Sequence, residues 1–361
     1  MVNDLKEMQY VPAMPLKEKR KIVSIGAGGI VRGSHYPAYK LAGFEVVGVY
    51  DVKYDVAKKL AEDFNVPNVC ETLEEIIELG VKNNAIYDIA VPADKIVDIL
   101  KFIPAESPVL IQKPMGENIQ QATQILEICR EKKLKAGLNF QMRHAPYIIA
   151  AKELIDSGAI GEIYDVEIQE CVFTPWHLWD FLFKVERMEI LYHSIHFIDV
   201  IRYILGKDPE GVYCKTMKHP EMMELAQTRS TVILDYGDLL RAELHCNHGH
   251  KYGSEEQECY LKIEGSKGAI KLTIGVYLDY PVGKPDQFKY ILLEDGKGWR
   301  ELDIKGTWFS EAFIGPMGGL MRKLEDPNYN YINDIEDAYK TMLILEAAYE
   351  SNSMGSHKVK Y

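Results

Sequence analysis

Lys21-Ile22-Val23-Ser24-Ile25-Gly26-Ala27-Gly28-Gly29-Ile30-Val31 is the stretch that decides the fold. The apolar run before Gly26 reads as a buried strand, and the glycines open a helix over about residues 30–42. Gly26 permits a tight turn, and Gly28 lets the backbone approach a pyrophosphate. The helix N-terminus supplies N–H donors and partial positive charge. Glycines at this spacing mean little alone. Here they follow a strand, open a helix, and precede Asp51, which ends the next strand 23 residues after Gly28. The expected dinucleotide contacts are Gly26, Gly28, Gly29, Ile30 and Asp51. Asp51 would accept from the adenosine ribose and repel a 2′-phosphate, which favours NAD; Lys53 keeps NADP open. The bland alternatives are a glycine turn in an unrelated α/β protein and a helix-capping aspartate.

Outward from this stretch the chain alternates. Residues 45–51, 86–92 and 109–111 read as strands, and residues 52–64 and 118–132 as helices with one apolar face. This is α/β organisation, a Rossmann doubly wound parallel sheet over residues 21–142 behind an arm at 1–20. From about residue 143 the texture changes. A helix at 145–156 precedes strand-like runs at 163–172, 211–218, 228–236, 239–247 and 258–274. Helices interrupt at 188–205 and close the chain at 334–349. Residues 143–361 therefore read as an α+β domain, an open and largely antiparallel sheet with helices on one face.

The chain of 361 residues carries a net charge of −12, which argues against nucleic acid or an anionic membrane surface as partner. It has no apolar run of the ~18 residues a spanning helix needs. Its first 20 residues lack the apolar core of a signal peptide. Six scattered cysteines without CxxC pairs suggest free thiols and a cytoplasmic setting.

Lys113 ends the apolar run Val109-Leu110-Ile111-Gln112-Lys113-Pro114. A lysine at the carboxyl end of a strand in such a sheet points at the ligand crevice. Pro114 biases Lys113 towards an extended backbone. Gln112, Lys113 and Pro92, where the strand 86–92 ends, join the expected cofactor contacts. On the 188–205 helix, Tyr192 and His196 stand four residues apart on one face, and Asp199 is placed to orient the imidazole.

These blocks resemble the Gfo/Idh/MocA family of oxidoreductases over nearly the whole chain. They are Ile25 to Val31, His35-Tyr36-Pro37-Ala38-Tyr39, Tyr50-Asp51, Gln112-Lys113-Pro114, and Ile190 to Asp199 followed by Arg202-Tyr203-Ile204-Leu205-Gly206. The resemblance implies hydride transfer between a nicotinamide cofactor and a sugar or polyol hydroxyl, with Lys113 and His196 as acid/base and orienting pair. Two departures stand out. Gln112 replaces the family's glutamate, and Tyr192 takes the place of its aspartate, with His193 beside it as a partial substitute.

Substrate-side candidates are Arg143, with Asn139 and Gln141 near it, Trp176 and Trp179 in an aromatic loop, His193, and His245 on the polar face of its strand. A domain-hinge ion pair is the competing reading of Arg143, and subunit packing that of the tryptophans. His245, Cys246, His248 and His250 match no standard zinc spacing, so no metal is expected. The open readings are an NAD-dependent dehydrogenase of a sugar, glycoside or cyclic polyol, a keto-sugar reductase using NADPH, and a non-catalytic sugar or nucleotide sensor. A homodimer or homotetramer is expected.

Overall fold

The computed structural model describes residues 11–359. The chain divides into two compact units, one built from residues 11–146 and 306–342, the other from 147–305 and the residues after 342. Of the arm read at 1–20, residues 1–10 lie outside the described residues. Residues 11–20 hold no regular element.

The first unit contains a six-stranded parallel sheet: β1 (Ile22–Ile25), β2 (Val46–Tyr50), β3 (Val69–Cys70), β4 (Ile86–Ile89), β5 (Pro108–Ile111) and β6 (Lys135–Leu138). The order is β3-β2-β1-β4-β5-β6. It reverses between β1 and β4, and in open α/β sheets a ligand binds at the carboxyl ends of the strands flanking such a switch. The predicted helix at 30–42 begins as a π-helical turn, Val31–His35, and continues as α1 (Tyr36–Ala42). Helix α2 (Tyr54–Phe64) buries Ala57, Leu60 and Ala61. Full burial of a side chain such as Leu60 contributes roughly 1.5–3 kcal/mol. Three helices escaped the sequence reading, α3 (Leu73–Lys82), α4 (Ile96–Phe102) and, further along the chain, Ile314–Glu325. Thr72 starts α3 by accepting from the Glu75 N–H, a local signal available in the sequence. Helix α5 (Ile119–Glu131) buries Ala122, Ile125, Leu126 and Cys129, the face expected from their spacing.

The second unit opens with α6 (Pro146–Asp156), which the sequence placed at 145–156. Its sheet comprises β7 (Ile163–Cys171), β8 (Gly211–Met217), β9 (Arg229–Asp235), β10 (Arg241–Asn247), β11 (Glu258–Gly265), β12 (Gly268–Thr273), β13 (Gln287–Leu292) and β14 (Arg300–Leu302). The order is β14-β13-β12-β11-β7-β10-β9-β8. Strands β7 and β10 run parallel; the other neighbours are antiparallel. Alternate residues are buried, for example Ala242, Leu244 and Cys246 on β10, so one sheet face is core and the other open. The predicted 188–205 helix is present, but its first turn is not α-helical. A π-helical turn, Ile190–Ser194, leads into α7 (Ile195–Leu205), which lies on β7 and β10 and stops at Gly206, φ 65°.

Residues 306–342 belong to the first unit, where the sequence reading kept 143–361 together. The reason is α8 (Ile314–Glu325), which lies against β5 and β6. A Cβ on Gly318 would come within 2.2 Å of the Ala13 carbonyl oxygen, so this glycine lets the N-terminal segment run against the helix. The Glu325 carboxylate fastens that segment by accepting from the N–H groups of Leu16, Lys17 and Glu18 at 2.7, 3.0 and 2.7 Å. The last helix, α9 (Ile335–Met354), runs five residues beyond the predicted end at 349. Among the described residues no helix is long and apolar enough to cross a membrane.

Candidate active site

The glycine turn sits at the carboxyl end of β1. Gly26 has φ +104°, and a Cβ there would lie 2.2 Å from the Ala90 carbonyl oxygen. Its N–H donates to the Tyr50 carbonyl at 2.8 Å. Gly28 and Gly29 differ, because a Cβ on either meets nothing within 4 Å. Gly26 is thus required by the protein itself, whereas Gly28 and Gly29 border open space at a helix N-terminus. That is the cradle a pyrophosphate needs, so the residues present fit a dinucleotide. Ile30 turns partly into the core cluster beneath the loop.

Asp51 has a second job that the sequence did not reveal. Its Oδ2 accepts from the Ala27 N–H and its Oδ1 from the Lys53 N–H, both at 2.8 Å. The carboxylate therefore ties the glycine loop to β2, with lone pairs left for a ribose hydroxyl. Asp51→Ala is expected to weaken NAD binding by about 10–100-fold, the equivalent of one charge-assisted hydrogen bond of ~1.5–3 kcal/mol, and to narrow its preference over NADP. Parallel calorimetric titrations with the two nucleotides check this. Pro92 is exposed at the start of a short turn after β4.

Lys113 follows β5 and is partly buried. Burial lowers its ammonium pKa to about 8. Gln112 turns its side chain away into a buried polar cluster, with Oε1 3.3 Å from His35 Nε2. His35 Nδ1 lies 2.9 Å from Asp88 Oδ2, which also accepts from the Tyr39 hydroxyl at 2.9 Å. Asn139 Nδ2 completes this cluster, 3.2 Å from His35 Nε2. Asn139, Gln141 and Arg143 are all buried. The Arg143 guanidinium pairs with Asp337 at 2.8 Å and donates to the Ile332 carbonyl.

In the second unit the π-helical turn separates three neighbours. Such a turn inserts one residue into the helical repeat, so the side chains before it do not keep the spacing that α7 alone would impose. Tyr192 joins an apolar cluster with Trp176, Leu182, Met188 and Leu225, its ring 5.5 Å from Phe181. His193 is half-buried, its ring centroid 4.7 Å from His248 and 5.1 Å from Trp176. His196 is buried on α7, with Asp199 one turn later. Trp176 also lies edge-on to His248, at 5.1 Å, and Trp179 contacts Tyr280. His245 lies on the opposite, open face of β10, 3.2 Å from Thr231 Oγ1, and is not brought together with these residues.

Beneath His193 lies a group that the sequence did not assemble, since it set His248 and Cys246 beside His245 and His250 and not beside Glu170 and Glu189. Glu170, Glu189 and His248 are completely buried. Glu170 Oε1 is 3.7 Å from His248 Nδ1, and Glu189 Oε1 is 3.7 Å from His248 Nε2. Thr174 Oγ1 lies 2.9 Å from Nδ1, Ser194 donates to Glu189, and the Cys246 thiol donates to Glu170 at 3.4 Å. Burial raises the Glu170 carboxyl pKa. Burial pushes Glu189 the same way, but His248, Ser194 and Ser230 outweigh it and leave it low. Burial disfavours the His248 imidazolium, yet the two carboxylates prevail and raise its pKa. One signal was available. Val166, Ile168 and Glu170 share the buried parity of β7, so a carboxylate stands where an apolar side chain belongs.

Two family models match the chain. One, described as an oxidoreductase family with an NAD-binding Rossmann fold, covers residues 20–140; the other, the GFO/IDH/MocA C-terminal domain, covers residues 148–271. A glucose-6-phosphate 3-dehydrogenase from Bacillus subtilis is 23% identical over 282 residues, 75% of this chain and 74% of that one. A D-apiose dehydrogenase from Rhizobium rhizogenes is 24% identical over 255 residues, 69% and 71% of the two chains. An Agrobacterium radiobacter oxidoreductase, solved in complex with NAD+, L-tartaric acid and magnesium, superposes with a TM-score of 0.78 at 20% identity. The match covers 93% of this chain and 97% of that one, and it establishes the shared fold.

Proposed function

Because the chain belongs to the Gfo/Idh/MocA family and is an NAD-binding oxidoreductase, we propose that it oxidises a CH–OH carbon of a sugar, glycoside or cyclic polyol, with Lys113 and His196 as its acid/base pair. The observation that carries this reading is the partly buried Lys113 at the carboxyl end of β5, its pKa lowered to about 8. A lysine in that state has a substantial neutral fraction near physiological pH, as a base must. Bound NAD would supply the hydride acceptor. Lys113 Nζ takes the hydroxyl proton while the C–H bond breaks and its hydride passes to the cofactor, and His196 is the second acid/base group of the proposal. The half-buried Trp179 and His193 offer a face and an edge to a sugar ring, while Trp176, buried against both, serves to position them. The names of the two enzyme relatives, a glucose-6-phosphate 3-dehydrogenase and a D-apiose dehydrogenase, support a sugar hydroxyl. The open face of the second sheet suits self-association as a dimer or tetramer, and six unpaired cysteines suit a cytoplasmic setting.

The test is absorbance at 340 nm with NAD or NADP across aldoses, sugar phosphates, inositols and glucosides. Substrate-dependent NADH formation, reduced by about 10–100-fold in His196→Asn, supports the assignment. NADPH oxidation by keto-sugars alone would replace it with the reductase, and silence with NAD tightly bound would replace it with the sensor.

A further inference from the structure

We propose that the second unit carries a binding site for one divalent transition cation of the zinc class, held by Glu170, His193 and His248. One ligand atom from each of these three side chains lies within 4.8 Å of the other two. A tetrahedral zinc ion with bonds of ~2.0–2.1 Å sets its ligand atoms about 3.4 Å apart, so modest side-chain rotations close the set. The three come from separate elements: β7, the π-helical turn before α7, and the residue following β10.

The donor set selects the ion. Two imidazoles and one carboxylate suit zinc or a similar first-row cation, whereas magnesium and calcium want oxygen. Cys246 lies in an overlapping set with Glu189 and His248 and adds a soft donor beside the site. Charge favours occupation too. The site takes histidines as neutral ligands, so Glu170 and Glu189 together balance one dication. Buried charges that are not balanced in this way carry a large desolvation cost.

Two further details fit. Glu189 faces His248 Nε2 from 3.7 Å while Glu170 faces Nδ1 at the same distance. A cation on the Nδ1 side leaves Glu189 to accept the Nε2–H, the arrangement in which a second carboxylate orients a metal-bound imidazole. Thr174 Oγ1, 2.9 Å from Nδ1, has to release that nitrogen as the cation binds. Glu170 Oε1 is buried without a hydrogen-bond donor, as an oxygen kept for an ion would be. Three protein ligands leave a fourth position for water or a substrate oxygen. None of this depends on the dehydrogenase reading.

The experiment uses the full-length protein, stripped with a chelator and titrated calorimetrically with Zn2+, with elemental analysis after desalting. A parallel Co2+ titration is followed by its visible absorption. The expected result is one equivalent bound, with cobalt bands of tetrahedral nitrogen and oxygen ligation. Glu170→Gln and His193→Ala, both melting like the parent, are expected to weaken the affinity by at least about tenfold, since even second-shell losses at metal sites reach that size. Lack of stoichiometric binding by the stripped parent protein overturns the proposal, as does unchanged affinity in folded Glu170→Gln and His193→Ala. If both variants melt early, the cobalt spectrum of the parent decides, with octahedral or absent bands counting against the site.

Discussion

Lys113→Met is expected to lower kcat/KM for alcohol oxidation by about 10²–10⁴-fold, the usual worth of a positioned acid/base group. NAD affinity is expected to fall far less than kcat/KM, because Lys113 is one of several expected cofactor contacts and the glycine cradle and Asp51 follow other strands. The pH dependence gives the sharper test. Burial penalises the ammonium and lowers its pKa from the ordinary lysine value to about 8. The neutral amine is the base, so its fraction grows as pH rises and saturates above that value. Oxidation by the parent enzyme should therefore climb with pH and level off above about 8. In Lys113→Met that limb should vanish, leaving a flat remnant. Steady-state kinetics from pH 6 to about 10 measure both. An unaltered profile in the variant would remove Lys113 from the proton path.

Replacing Gly26 and Gly28 in turn by alanine should separate folding from cofactor binding. At Gly26 the φ of +104° and the 2.2 Å approach to the Ala90 carbonyl oxygen leave no room for a Cβ. Gly26→Ala should cost about 2–4 kcal/mol, from strain in a sparsely allowed backbone region plus a clash with main chain that cannot rotate away. For a unit of this size the melting midpoint should fall by roughly 5–15 °C. At Gly28 a Cβ meets no protein atom within 4 Å. Gly28→Ala should melt like the parent yet bind NAD roughly tenfold or more weakly, since the methyl occupies the space of the pyrophosphate and displaces N–H contacts worth ~1.5–3 kcal/mol. Calorimetry and thermal melts on the pair decide it. Equal loss of stability in both variants would mean that the cradle serves the fold and not a ligand.

Much of the first unit was legible because its evidence is local. The strand-glycine-helix order around Gly26, the apolar faces of α2 and α5, and Asp51 at the end of β2 each depend on residues within one turn or strand of one another. The same holds for the alternation along β10, which separates His245 from Cys246. Short elements such as α4 carry too few residues for a period to show.

The sequence by itself determined most of the strands and helices, the nucleotide cradle and the family. These follow from hydrophobic periodicity and from glycines whose backbone needs are written in their neighbours. Only the tertiary structure decided which buried polar groups meet. The pairing of Cys246 with Glu170 across β10 and β7 is a matter of sheet register between strands about 75 residues apart. The same is true of Gln112 and Asn139 meeting at His35, and of α8 joining the first unit. The π-helical turn that sends Tyr192 into an apolar cluster and His193 towards His248 has no periodic signature. Such encounters are chosen by the global packing that buries the most apolar surface, and no window of sequence contains that choice.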